Sequence, residues 1–109
     1  DGDIVKQVTP SLTGIRSVSS VPTYIGNGQD ANRVFQGSID EVAVWNSDQS
    51  ANASAIYNSG VPNDISSLSP LSWWRCGDGD TSPTLTDNGS GGNDGTMTNF
   101  TTFSTDVPT

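Results

Sequence analysis

The sequence predicts an all-β domain, a two-sheet sandwich or jelly roll carrying one short helix. Three observations predict it. Apolar residues make up only 31% of the 109 residues, and they gather in short runs of strand length. Gly, Asn, Asp and Pro clusters that favour turns separate those runs. Helical period occurs once, between Ser50 and Gly60. Charged residues are 15% of the chain, and the apolar clustering separates the composition from that of a disordered segment.

The elements follow in order. Gly2 to Val8 alternates enough for a strand, with Gly2 in the preceding turn. Thr23 to Ile25 reads as a short strand closed by the Asn27-Gly28 turn signal. In "FQGSIDEVAVWN", Ile39, Val42, Val44 and Trp45 carry strong β propensity. Ser50 is the expected N-cap of a helix of about two turns, with Ala53, Ile56 and Tyr57 as its apolar positions, Gly60 past its end and Pro62 as its stop. Leu71 to Gly77 is the next strand, Thr84 to Thr86 a short one inside a long polar loop, and "TMTNFTTF" the last, before an extended tail.

Charge and cysteine content exclude several functions. A net charge of −8 with four basic residues argues against nucleic-acid binding, which needs Lys and Arg against phosphates. It equally disfavours an anionic membrane surface, and no apolar run approaches the ~18 residues of a membrane span. The single Cys76 permits no internal disulfide. Stability is therefore expected from Ca²⁺, from assembly, or from sequence outside these residues. The opening "DGDIVKQV" reads as the middle of a hairpin, so a fragment or processed product is expected.

Catalytic constellations fare poorly. The chain has no His, which excludes Ser-His-Asp and Cys-His pairs and imidazole-metal sites. Adjacent Asp40 and Glu41 on a strand point to opposite faces and cannot flank one glycosidic bond. Asp40 is therefore expected to be structural, accepting backbone hydrogen bonds, and Trp45 to be a core residue. Cys76, without a base, reads as a small buried apolar side chain. The loop from Asp78 to Asp94 is either a turn-rich connection or a Ca²⁺ site with Asp78, Asp80, Asp87 and Asp94 as ligands, since Ca²⁺ takes six to eight oxygens. Trp73 and Trp74 must face opposite sides of their strand. One belongs to the core; the other is exposed, at an interface, or stacked on a glycan. Asn52, Asn88 and Asn99 satisfy N-x-[ST], a match that Ser/Thr-rich sequence also yields by chance.

"YIGNG", "FQGSIDEVAVWN" and "ASAIYNSG" together resemble the C-terminal half of concanavalin A-like, laminin-G-type jelly-roll domains. There an I-G strand is followed by F-x-G-x-I-D-E-V-x-[IV]-[WY]-N and a short helix. The resemblance implies structural roles for Phe35, Gly37, Asp40 and Trp45. "LSWWRCGDGD" with "DNGSGGNDGTM" resembles the opening of the same family, and the ending resembles virion proteins of marine bacteriophages. Cys76 departs from the larger apolar residue usual there. The implied organisation is residues 1–61 as the C-terminal half of a jelly roll, 62–70 as a linker, and 71–109 as the opening of another such domain or a permuted closing segment. The implied fold is an antiparallel jelly-roll β-sandwich, present in part. The implied function is a non-enzymatic structural module of a phage virion, in a capsid decoration, tail or fibre, assembling with other virion subunits and able to bind glycans. The alternative is a lectin-like carbohydrate-binding module of a secreted or surface bacterial protein. Either reading places the chain in a virion or outside the cell, as an oligomer or part of an assembly.

Overall fold

The computed structural model describes residues 20–28, 32–106 and 108. The chain divides into two compact units, one spanning Asp3–Gly37 and one containing Ser38–Thr109. The strand expected over Gly2 to Val8 lies outside the described residues.

In the first unit the expected strand at Thr23 to Ile25 is absent, and those residues are exposed. A strand is held by a ladder of backbone bonds. Here one described bond, from the Phe35 N–H to the Gly26 carbonyl at 2.8 Å, closes the loop carrying Asn27 and Gly28.

The second unit is β-rich, with short antiparallel ribbons and one short helix. Strand β1, Val42–Val44, pairs antiparallel with β2, Ser72–Trp74, placing Val42 opposite Trp74 and Val44 opposite Ser72. Strand β3, Thr84–Leu85, pairs antiparallel with β4, Gly95–Thr96. The strands are shorter than expected because left-handed residues interrupt them. Glu41 (φ 52°) precedes β1, and Cys76 (φ 53°) follows β2. Asn99 (φ 56°) breaks the run after β4, where the rings of Phe100 and Phe103 then meet 4.5 Å apart.

Helix α1, Ala53–Tyr57, is flanked by 3₁₀ turns at Ser50–Asn52 and Asn58–Gly60. Ser50 does not cap it. The Asp48 carboxylate, two positions earlier, accepts the Ser50 N–H at 2.8 Å, the Asx turn that a short acidic side chain makes with backbone ahead of it. The helix ends at left-handed Asn58, so Ala53 and Ile56 turn inward while Tyr57 remains exposed.

Residues 62–70 do not behave as a linker. Ile65 is 6% exposed and Pro70 is buried. Residues 66–68 form another 3₁₀ turn, and Leu68 accepts a 3.0 Å hydrogen bond from Trp45 Nε1. The boundary between units falls at Gly37–Ser38 instead, because β1 and β2 pair across this connection and draw both flanking segments into one body.

Candidate functional site

The side chains singled out by sequence gather along β2, from two directions. Glu41 stands at the left-handed elbow before β1, its carboxylate turned toward β2. Its Oε2 accepts from Trp73 Nε1 at 2.5 Å and its Oε1 from Arg75 Nε at 3.1 Å. Arg75 continues to Asp78, with Nη2 2.6 Å from Oδ2, and its guanidinium lies 5.2 Å from the centroid of the Trp73 ring, within cation–π range. Trp73 is 4% exposed. Both oxygens of Glu41 therefore hold an indole and a guanidinium in place. Asp40 points elsewhere: it is exposed and accepts the Glu41 N–H at 3.0 Å.

On its other flank β2 is covered by the Gly-rich loop. Asp87 Oδ1 accepts the N–H groups of Trp73 and Gly89, each at 2.8 Å, and Oδ2 accepts that of Asn93 at 2.7 Å. Burial pushes the Asp87 pKa up, but the N–H groups of Trp73, Asn93 and Gly89, with the Ser72 hydroxyl, outweigh it and hold the carboxyl below its ordinary value. Asn88 N–H donates to the Trp73 carbonyl at 2.7 Å and Gly91 N–H to the Leu71 carbonyl at 2.6 Å. Asn93 Nδ2 reaches Ser72 Oγ at 2.9 Å, and Trp74 Nε1 donates to the Asn93 carbonyl at 2.9 Å. The glycine at position 89 is dictated by contact. A Cβ there would lie 2.6 Å from both the Leu71 carbonyl oxygen and the Ser72 Cα.

The other acids of the loop have separate tasks. Asp94 Oδ1 accepts the Asp87 N–H at 2.8 Å. Asp80 accepts from Gly77 at 3.1 Å and from Thr86 at 2.8 Å, tying the 77–80 turn to the end of β3. Asp78 pairs with Arg75. Among the described residues no three of the side chains His, Cys, Asp and Glu converge as a metal-holding group. Cys76 is half-buried, and burial raises its thiol pKa, with Asp40, Asp80 and Glu41 adding to the rise. That leaves less thiolate at neutral pH than a free cysteine has.

Of the tryptophans, Trp73 is interior and Trp74 keeps part of its surface open. Trp45 is half-buried. With Glu41, Ala43, Ile56, Pro62 and Ile65 it lines a shallow depression of about 170 Å³, below the roughly 300–1,000 Å³ of ordinary ligand pockets. Phe35 is 60% exposed; with Gly37 it belongs to the other unit.

Sequence reading missed Arg75, Ser72 and Asn93. Arg75 had a signal. It is one of four basic residues in a chain of twelve acidic ones, placed directly after two tryptophans, where a half-buried guanidinium needs a carboxylate partner. Nothing local marks Ser72 or Asn93, whose partners lie 21 residues apart.

Comparison with protein-family models, with curated proteins and with solved structures returned no match.

Proposed function

We propose that the chain is a non-enzymatic structural module, a partial jelly roll of the concanavalin A-like class, that assembles with other subunits of a phage virion. The observation that carries the proposal is the use made of its acids. Glu41 and Asp87, the carboxylates in its two most motif-like segments, direct their oxygens at an indole, a guanidinium and three backbone N–H groups of the scaffold. A glycosidase instead needs two carboxyls facing a substrate across one bond. Apolar surface supports the assembly half of the reading. Val44 and Leu71, joined by a backbone hydrogen bond, are 47% and 40% exposed at one end of the β1–β2 ribbon. Exposed apolar patches mark interaction surfaces when they are contiguous.

The test is solution mass, glycan-array binding with and without Ca²⁺, and β-glucan hydrolysis, all on the purified chain. Association without hydrolysis is expected. A monomer with saturable glycan binding would favour the lectin-like alternative, for which Trp74 is the open aromatic. Hydrolysis abolished by Glu41→Gln would replace both readings with an enzyme. The calcium reading of the Asp78, Asp80, Asp87 and Asp94 loop stands on the same array: binding or melting that responds to Ca²⁺ and reverses with EDTA supports it.

A further inference from the structure

The chain contains the dipeptide Asn-Gly twice, at Asn27-Gly28 and Asn88-Gly89, in opposite geometries. At the first, the Gly28 N–H donates to the Asn27 side-chain oxygen at 2.8 Å. That contact folds the side-chain amide back over the backbone nitrogen that follows it. Reacting atoms about 3–3.5 Å apart define near-attack geometry, and Cγ is the atom bonded to the Oδ1 that this nitrogen reaches, so the contact holds nucleophile and electrophile side by side. At the second, Gly89 N–H is held by Asp87 Oδ1 at 2.8 Å. The Asn88 amide nitrogen donates away from it, to the Trp73 and Thr86 carbonyls at 3.4 and 3.3 Å. Gly89 is also pressed against the Leu71 and Ser72 backbone, which resists the rotation that would turn its nitrogen toward Asn88 Cγ.

We propose that Asn27 is a site of spontaneous succinimide formation, and that the fold shields Asn88 from the same reaction. The Gly28 nitrogen gives its proton to hydroxide and attacks Asn27 Cγ. A C–N bond forms, the Cγ–Nδ2 bond breaks, and ammonia leaves with a proton from water. Water then opens the succinimide at either carbonyl. Opening at the side-chain carbon gives aspartate. Opening at the backbone carbonyl gives isoaspartate, which routes the chain through Cβ and Cγ. Either product adds a carboxylate to the turn, and isoaspartate also lengthens the main chain beside the Phe35–Gly26 hydrogen bond. Asp40 is a built-in control. It makes the same contact with the next N–H at 3.0 Å, but an acid side chain offers no ammonia to leave and Glu41 crowds the attacking nitrogen.

The experiment incubates the purified chain in mildly alkaline buffer, native and in denaturant. Peptide mapping follows the amide-to-acid mass gain, and an isoaspartate-specific methyltransferase follows the isomer. In the native chain Asn27 is expected to convert more than about tenfold faster than Asn88, a barrier difference of ~1.4 kcal/mol. In denaturant the two rates converge. Asn27→Gln should abolish the signal from that peptide and leave the Asn88 rate unchanged. A ratio of rates that unfolding does not alter, or native Asn88 converting first, would overturn the proposal.

Discussion

The loop from Asp87 to Asn93 contains no large apolar side chain, whereas Val21, Tyr24, Ile25, Val34 and Phe35 crowd the described part of the first unit. Hydropathy alone would bury the second and leave the first in water. The structure inverts this. The polar loop is bound to β2 through the Asp87 carboxylate, backbone N–H groups and the Asn93 side chain, while all five apolar residues remain exposed. A carboxylate that satisfies several otherwise orphaned N–H groups stabilises a segment as firmly as a small apolar cluster. Apolar side chains stabilise nothing until something covers them.

The comparison breaks first at Asp87. Asp87→Ala leaves three N–H groups without their acceptor and is expected to destabilise the second unit by about 3–4 kcal/mol, read as a loss in melting temperature. A variant melting like the parent would show that the loop rests on β2 without supporting it. The acid limb sharpens the point. Because the folded pKa of Asp87 is lowered, its contribution is fully present above the unfolded value of about 3.9 and disappears as pH falls through the lower folded value. Asp87→Asn should make stability less steep in that window. Asp48 and Asp64, held down by hydrogen bonds from Ser50 and Ser66, stay in both proteins, so the difference belongs to Asp87.

Next comes Gly89→Ala, expected to cost about 1–3 kcal/mol through overpacking against β2. Gly92→Ala meets no atom within 4 Å but has φ +62°, and should cost only the ~1–2 kcal/mol of a left-handed L-residue. Gly89 has no left-handed φ, so a Gly89→Ala loss no larger than that of Gly92→Ala would mean that the contact with β2 relaxes at little cost. The smallest effect is expected at Phe35→Ser, within about 0.5 kcal/mol of zero. A loss rivalling that of Asp87→Ala would show that Phe35 is covered in solution.

How much of this was legible depended on the range of the interaction. The short helix, the β3 position and the strand containing Trp73 and Trp74 follow from local period and turn residues, and all three are present. Strand ends were misjudged where a non-glycine residue adopts φ > 0, as Glu41 and Cys76 do. Such conformations run against the steric preference of every residue with a Cβ, so local propensity does not announce them. The same range explains the site. Asp40 and Glu41 do diverge, but at a left-handed elbow ahead of β1 rather than by alternation along a strand, and the pairing of Glu41 with Trp73 and Arg75 spans more than thirty residues. The 62–70 connection reads as a linker because its Ser-rich composition hides the residues that anchor it, Ile65 and Pro70 by burial and Leu68 through its bond from Trp45.

The Asp87 bond also sets an order of events during synthesis. The Trp73 amide waits for a partner fourteen residues downstream, and Ser72 for one twenty-one residues downstream. Chains emerge from the ribosome at about 5–20 residues per second, so β2 spends on the order of one to a few seconds with its nascent edge unclaimed. A message truncated between Trp74 and Asp87 would release a product able to form β1–β2 pairs but lacking its own edge cover, and therefore open to pairing with any extended strand nearby.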